Sequence, residues 1–195
     1  GADAQTYSIV VNALWEDQTR LNEQAGLPAP FPQLLRYKAA LLVELDGQDT
    51  RNLPSSTFVT GPYGDVVNHG GRSLYLSWYP ACRLGSVPIS LRETLDRLMA
   101  DNDPQTIIQD SLARLGELVP GLAALGLRPE QVKLGGGYIP ARGESDIDDP
   151  DSGLHQRHEF GIRAEGGWIS LDTGKYCMAP MLALEACDTV LKRLA

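Results

Sequence analysis

The sequence is short of most features that mark a specialised chain. It holds 3 cysteines in 195 residues, Cys82, Cys177 and Cys187. An odd, sparse set makes no disulfide framework, and without a C-x-x-C pair a structural zinc site lacks its ligand frame. Such usage points to a reducing compartment, the cytoplasm. No uninterrupted apolar run is long enough to span a bilayer. Basic residues are in deficit, with a formal net charge of -8. That balance disfavours nucleic acid as a partner and repels anionic membranes. Gly1 to Thr6 has neither the basic region nor the apolar core of a signal peptide. The chain starts without Met and enters the β-rich run Tyr7-Ser8-Ile9-Val10-Val11 almost at once, so a processed or truncated start is expected. There is no internal repeat and no G-x-G-x-x-G fingerprint. The Gly174-Lys175 turn is no P-loop either. Ile169 stands where the first glycine belongs, and Tyr176 where Ser or Thr belongs.

What is present reads as one to two domains of mixed α and β structure. Tyr7 to Val11 reads as a buried strand. A helix over Ala13 to Gln24 follows, which Gly26 terminates. Leu34 to Asp46 is a long strand ended by an Asp-Gly turn. Ser56 to Thr60, Asp65 to Asn68 and Leu74 to Tyr79 form an antiparallel meander. Ser90 and Glu93 have capping-box spacing before a helix through Ala100. Asp103-Pro104 starts a second helix to Leu118, with Ile107, Ile108, Leu112 and Leu115 on one face. Val132 to Ala141 is a strand interrupted by Gly135 to Gly137. After an Asp-rich loop, Glu159 to Arg163 and Trp168 to Leu171 are short strands. Met178 to Leu194 is a terminal helix with Lys192 and Arg193 at its negative end. The expected class is α+β: a mainly antiparallel mixed sheet, two central helices and a C-terminal helix.

Several residues carry chemistry on their own account. A strand ending in Thr173-Gly174-Lys175 and opening a helix aims unpaired N–H groups outward, which suits an anion or a polarised carbonyl. Arg142 is suited to grip a carboxylate with two parallel hydrogen bonds, or to pair with Glu144, Asp146, Asp148 and Asp149 in a solvated loop. Tyr75 and Tyr79 share a strand face, with Trp78 on the other, and Tyr138 lies on a later strand. These aromatics wall a pocket or pack across strands. His155 and His158 lie in an extended segment and the Asp run lacks EF-hand spacing, so no metal site is expected. His155 is an acid-base candidate or a plain loop residue. Cys177 is a reactive thiol near a helix start or a small packed residue.

In order along the chain, three segments resemble the D-amino-acid-oxidase-like FAD oxidoreductases. Val10-Val11-Asn12-Ala13-Leu14-Trp15 is similar to their "V-V-N-A-x-G-x-W" step, with the glycine replaced or shifted. Gly136-Gly137-Tyr138-Ile139-Pro140-Ala141-Arg142, followed by Asp146, is similar to their "G-x-R-P" strand, with Pro140 and Arg142 apart. Gly167 to Tyr176 is similar to their "G-x-x-S-x-x-x-G-K" block. The resemblance implies the C-terminal portion of a longer flavoenzyme. Residues 1–33 would be the end of an FAD-binding domain, 34–159 a substrate domain, and 160–195 a return to the FAD domain. It implies FAD as cofactor, held by Thr173, Gly174, Lys175 and Tyr176. Arg142, Tyr79 and Tyr138 would contact an amine or hydroxy substrate, with no assigned catalytic nucleophile. A missing N-terminal half and a homodimer are the expected partners, and the isolated chain is expected to show no turnover. A stand-alone α+β binding module is the rival expectation. The two differ in whether Tyr7 to Val11 and the last helix leave apolar surface uncovered.

Overall fold

The computed structural model describes residues 5–29, 31–155, 161–172 and 176–195. The strands are β1 (Val10–Asn12), β2 (Gln33–Glu44), β3 (Ser56–Phe58), β4 (Gly64–Asn68), β5 (Ser73–Trp78), β6 (Arg83–Pro88), β7 (Val132–Arg142), β8 (Gly161–Glu165) and β9 (Trp168–Asp172). The helices are α1 (Gln18–Gln24), α2 (Tyr79–Cys82), α3 (Arg92–Ala100), α4 (Pro104–Leu118), α5 (Pro120–Ala123) and α6 (Ala179–Leu194). The class is α+β. The chain forms two units, one of Gly1–Leu34 with Pro140–Ala195 and one of Leu35–Ile139. Both divisions fall inside strands, β2 and β7.

The central unit, Leu35–Ile139, is built on a sheet of order β3-β4-β5-β2-β6, with β7 also pairing β2. The β3-β4, β4-β5 and β5-β2 pairs are antiparallel, as the alternating pattern predicts. Period-two alternation sends Ala39, Leu41 and Val43 of β2, Val66 of β4, and Leu74, Leu76 and Trp78 of β5 into one core. α4 supplies Ile107, Ile108 and Leu115 to the same core. Asp103 accepts hydrogen bonds from the N–H groups of Gln105 and Thr106, so the Asp-Pro start acts as its sequence implies. The hydroxyl of Thr106, then these N–H groups, hold the Asp103 carboxyl below its usual range.

Three local expectations are corrected here. Ser90 does not cap the first central helix; Leu91 is its N-cap residue and makes no side-chain cap bond. The triple glycine does not break its strand, because β7 runs through it. Gly136 is needed there: a Cβ would lie 2.6 Å from the Tyr37 hydroxyl and 2.8 Å from the Lys38 carbonyl oxygen. Tyr79 is not on a strand but opens α2. Pro80 has no N–H for a further ladder bond and its fixed φ suits the first helical turn.

In the terminal unit, β1, β9 and β8 form a three-stranded sheet in that order. β1 runs parallel to β9, while β9 and β8 form a hairpin. The expected buried strand is an exposed edge instead: Val10 and Val11 are 37% and 43% exposed, and only Asn12 is buried. α1 ends with Gly26 at φ +79° and a bond from Leu27 N–H to the Asn22 carbonyl, a Schellman-type close. α6 buries Leu182 and Ala186 but leaves Met181, Leu184, Leu191 and Leu194 in solvent. Among the described residues, no helix is long and apolar enough to cross a membrane.

Candidate functional site

The terminal unit brings the carboxyl ends of two parallel strands side by side. The parallel register pairs Asn12 with Ser170, so β1 and β9 end at the same edge of the sheet. β1 leads through a turn into α1, and β9 leads through residues 173–175 toward α6. Ligands of parallel α/β sheets bind outside the carboxyl ends of adjacent strands, where the following turns present N–H groups.

A buried polar network fixes those ends. The Asn12 side-chain amide donates to Asn22 Oδ1 at 2.8 Å and to the Gln18 carbonyl at 2.9 Å. Asn22 donates to the Ser170 hydroxyl at 2.7 Å, and Trp168 Nε1 donates to Asn22 Oδ1 at 2.9 Å. Gln18 Nε2 donates to the Leu171 carbonyl. Asn12, Asn22 and Ser170 are each at most 3% exposed. Buried polar groups are costly unless paired, so this set specifies the register of β1, α1 and β9. Local sequence patterns do not reveal it. Its only trace is polar residues where strands turn inward, Asn12 closing a Val-Val run and Ser170 inside Trp-Ile-Ser-Leu.

The β1 turn holds a strained residue. Trp15 has φ +35°, the single positive value among the described non-glycine residues. A bulky side chain in that region costs on the order of 1 to 3 kcal/mol. Trp15 stands in the stretch where the resembled pattern has glycine, and its backbone keeps a conformation that glycine adopts freely.

The predicted site residues are placed as follows. Thr173, Gly174 and Lys175 lie outside the described residues. Tyr176 begins the short turn before α6. Arg142, in the terminal unit, stacks its guanidinium over the Phe31 ring at 4.1 Å. Tyr79 and Tyr138 belong to the central unit and lie in separate clusters. Lys38 Nζ sits 4.1 Å from the Tyr79 ring centroid and 3.2 Å from Asp65 Oδ2. The Tyr63 ring is 5.8 Å from that of Tyr79. Ser77, opposite Asp65 in register, buries a hydroxyl with no hydrogen-bond partner among the described residues. Lys38 and Asp65 went unnoticed because a strand lysine reads as a solvated face. The Tyr138 hydroxyl donates to Asp96, Arg92 lies over its ring at 4.4 Å, and Tyr37 meets it edge-on at 5.3 Å. The Asp96 hydrogen bond, then burial and the Asp96 charge, raise the phenol's pKa against the opposing pull of Arg92.

His155 Nε2 lies 2.9 Å from the Asp149 carbonyl oxygen and is exposed, and His158 lies outside the described residues. The Asp149 carboxyl is held low chiefly by the Ser145 hydroxyl. Cys177 is exposed. Among the described residues no group of three His, Cys, Asp or Glu side chains is placed to hold a metal.

No protein family and no curated protein matches the sequence. One solved structure similar to this chain is an FAD-dependent oxidoreductase from Pseudomonas aeruginosa, at 14% identity and a TM-score of 0.49. The alignment covers 95% of this chain and 45% of that one, so the chain spans under half of its neighbour's length.

Proposed function

We propose that this chain is the C-terminal, substrate-domain part of a D-amino-acid-oxidase-like FAD oxidoreductase. The observation that carries the proposal is the parallel β1–β9 pair, whose carboxyl ends lie side by side and are tied to α1 by the Asn12–Asn22–Ser170 network. The stretches after them belong to the segments whose sequences resemble the flavoprotein blocks. Both segments follow the carboxyl ends of neighbouring parallel strands, the place where ligands of such sheets bind, and that supports an edge of the flavin ring as the occupant. Thr173, Gly174, Lys175 and Tyr176 would hold the ring's N1–C2 carbonyl edge, their N–H groups opposing the negative charge that grows there. Bound flavin supplies a hydride acceptor for a C–H beside an amine or hydroxyl. Arg142 is the candidate for a substrate carboxylate, with Tyr79 and Tyr138 as further substrate contacts. The planar guanidinium suits that role, since it grips a carboxylate with two parallel bonds.

The uncovered apolar surface supports a partner over a self-sufficient module. Parallel strands are ordinarily buried on both faces, yet β1 exposes Val10 and Val11. α6 carries a second apolar stripe, with Leu184, Leu191 and Leu194 at 72%, 60% and 61% exposure. A flavin-domain half, or a second copy, would cover both.

Equilibrium dialysis against riboflavin and FAD tests the proposal. Without a pyrophosphate fingerprint, this chain binds the ring alone, so FAD binds no more tightly than riboflavin and no amine or hydroxy acid is turned over. Absence of riboflavin binding, or robust turnover with added FAD, would refute it.

A further inference from the structure

The face of the central sheet turned away from α4 carries a polar cluster with hydrogen-bonding capacity to spare. Val66, Leu76 and Trp78 join α4 in the core, so period two sends Asp65 and Ser77, opposite each other in register, to the other face. Lys38 reaches Asp65 there, its Nζ 3.2 Å from Asp65 Oδ2 and 4.1 Å from the Tyr79 ring centroid. Tyr79 N–H donates to the Tyr63 carbonyl at 2.9 Å, and the two rings lie 5.8 Å apart as an aromatic wall. The Lys38 and Asp65 side chains are 12% and 23% exposed, shielded from water yet within reach of a ligand. Among the described residues, Lys38 spends one N–H on Asp65, and Asp65 accepts through Oδ2 with Oδ1 left over. Ser77 is fully buried, and its hydroxyl has no partner there. An unpaired buried hydroxyl is uncommon, and a shielded ion pair adds little stability by itself. A few placed polar groups against aromatic rings are how small-molecule sites are lined. We propose that Lys38, Asp65 and Ser77 bind a small amino-acid zwitterion, with Tyr63 and Tyr79 as the wall. The ligand's carboxylate accepts from Lys38 and from the Ser77 hydroxyl, and its ammonium donates to Asp65. A neutral pair selects a ligand carrying both charges, because a lone anion or cation sets a like charge against one member. The inference rests on the substrate-domain reading and adds contacts inside the central unit, but its measurement needs no flavin.

The test titrates the isotope-labelled chain with alanine, acetate and ethylamine, read by amide chemical shifts, alongside thermal melting of each variant. Alanine shifts residues 63–65 and 77–79, and acetate and ethylamine bind roughly tenfold more weakly, each lacking one charged contact. Lys38→Met and Asp65→Asn each weaken alanine binding roughly tenfold for the same reason. Ser77→Ala separates binding from folding. With no bond to lose, it melts no lower than the parent, yet it binds alanine roughly fivefold more weakly. No shift with alanine, acetate binding as tightly as alanine, or Ser77→Ala binding like the parent would each overturn the inference. Those outcomes leave the flavin reading standing, which fails instead if riboflavin does not bind.

Discussion

At the scale of single residues, what counts is how each polar group is paired. Tyr138 donates to Asp96 while Arg92 and Tyr37 flank its ring. Its phenol pKa is raised in the folded chain above the ordinary 10.0. A raised pKa means the folded state favours the protonated form. The contribution is thus fully present below the unfolded value of about 10 and is lost as pH climbs through the higher folded value. Denaturant midpoints of the parent chain should therefore fall faster than those of Tyr138→Phe as pH rises past 10. Parallel curves would show that the bond contributes nothing to folding. Little of this was legible in the sequence, because Asp96 lies 42 residues before Tyr138. The Asn22–Ser170 bond spans 148 residues and was equally invisible.

At the scale of elements, periodicity carried far. β2 and the meander follow from alternation, and α4 from its Asp-Pro start and its apolar stripe. These are local signals, and the core at Leu41, Leu76 and Leu115 needed little more. Two misreadings came from residues whose meaning depends on a neighbour in space. Gly135 to Gly137 looked like a break, yet Gly136 marks close approach to Tyr37 and the Lys38 carbonyl. Tyr79 looked like the end of β5 until Pro80 turned it into a helix start. The glycine run gives a paired prediction. Gly136→Ala forces a Cβ against backbone and should cost about 1 to 3 kcal/mol. Gly137→Ala meets nothing within 4 Å and should stay within roughly 0.5 kcal/mol of the parent. Chemical denaturation of both variants checks this, and equal losses would contradict the close packing of β7 on β2.

At the scale of the whole molecule, the candidate functions divide between two units. The central unit, Leu35–Ile139, holds the larger sheet with Lys38, Asp65, Tyr79 and Tyr138. The terminal unit gathers the two ends of the chain into the β1–β9 strand ends. The pairing of β1 with β9 joins the two ends of the chain, and the polar lock beneath it left no local signal in the sequence. The central claim is that those strand ends take a flavin ring, and hydrogen exchange with and without riboflavin tests it most directly. The account predicts slowed exchange on riboflavin addition at residues 13–15 and 173–178, with residues 35–139 little changed. Protection confined to residues 35–139, or none anywhere, would contradict it.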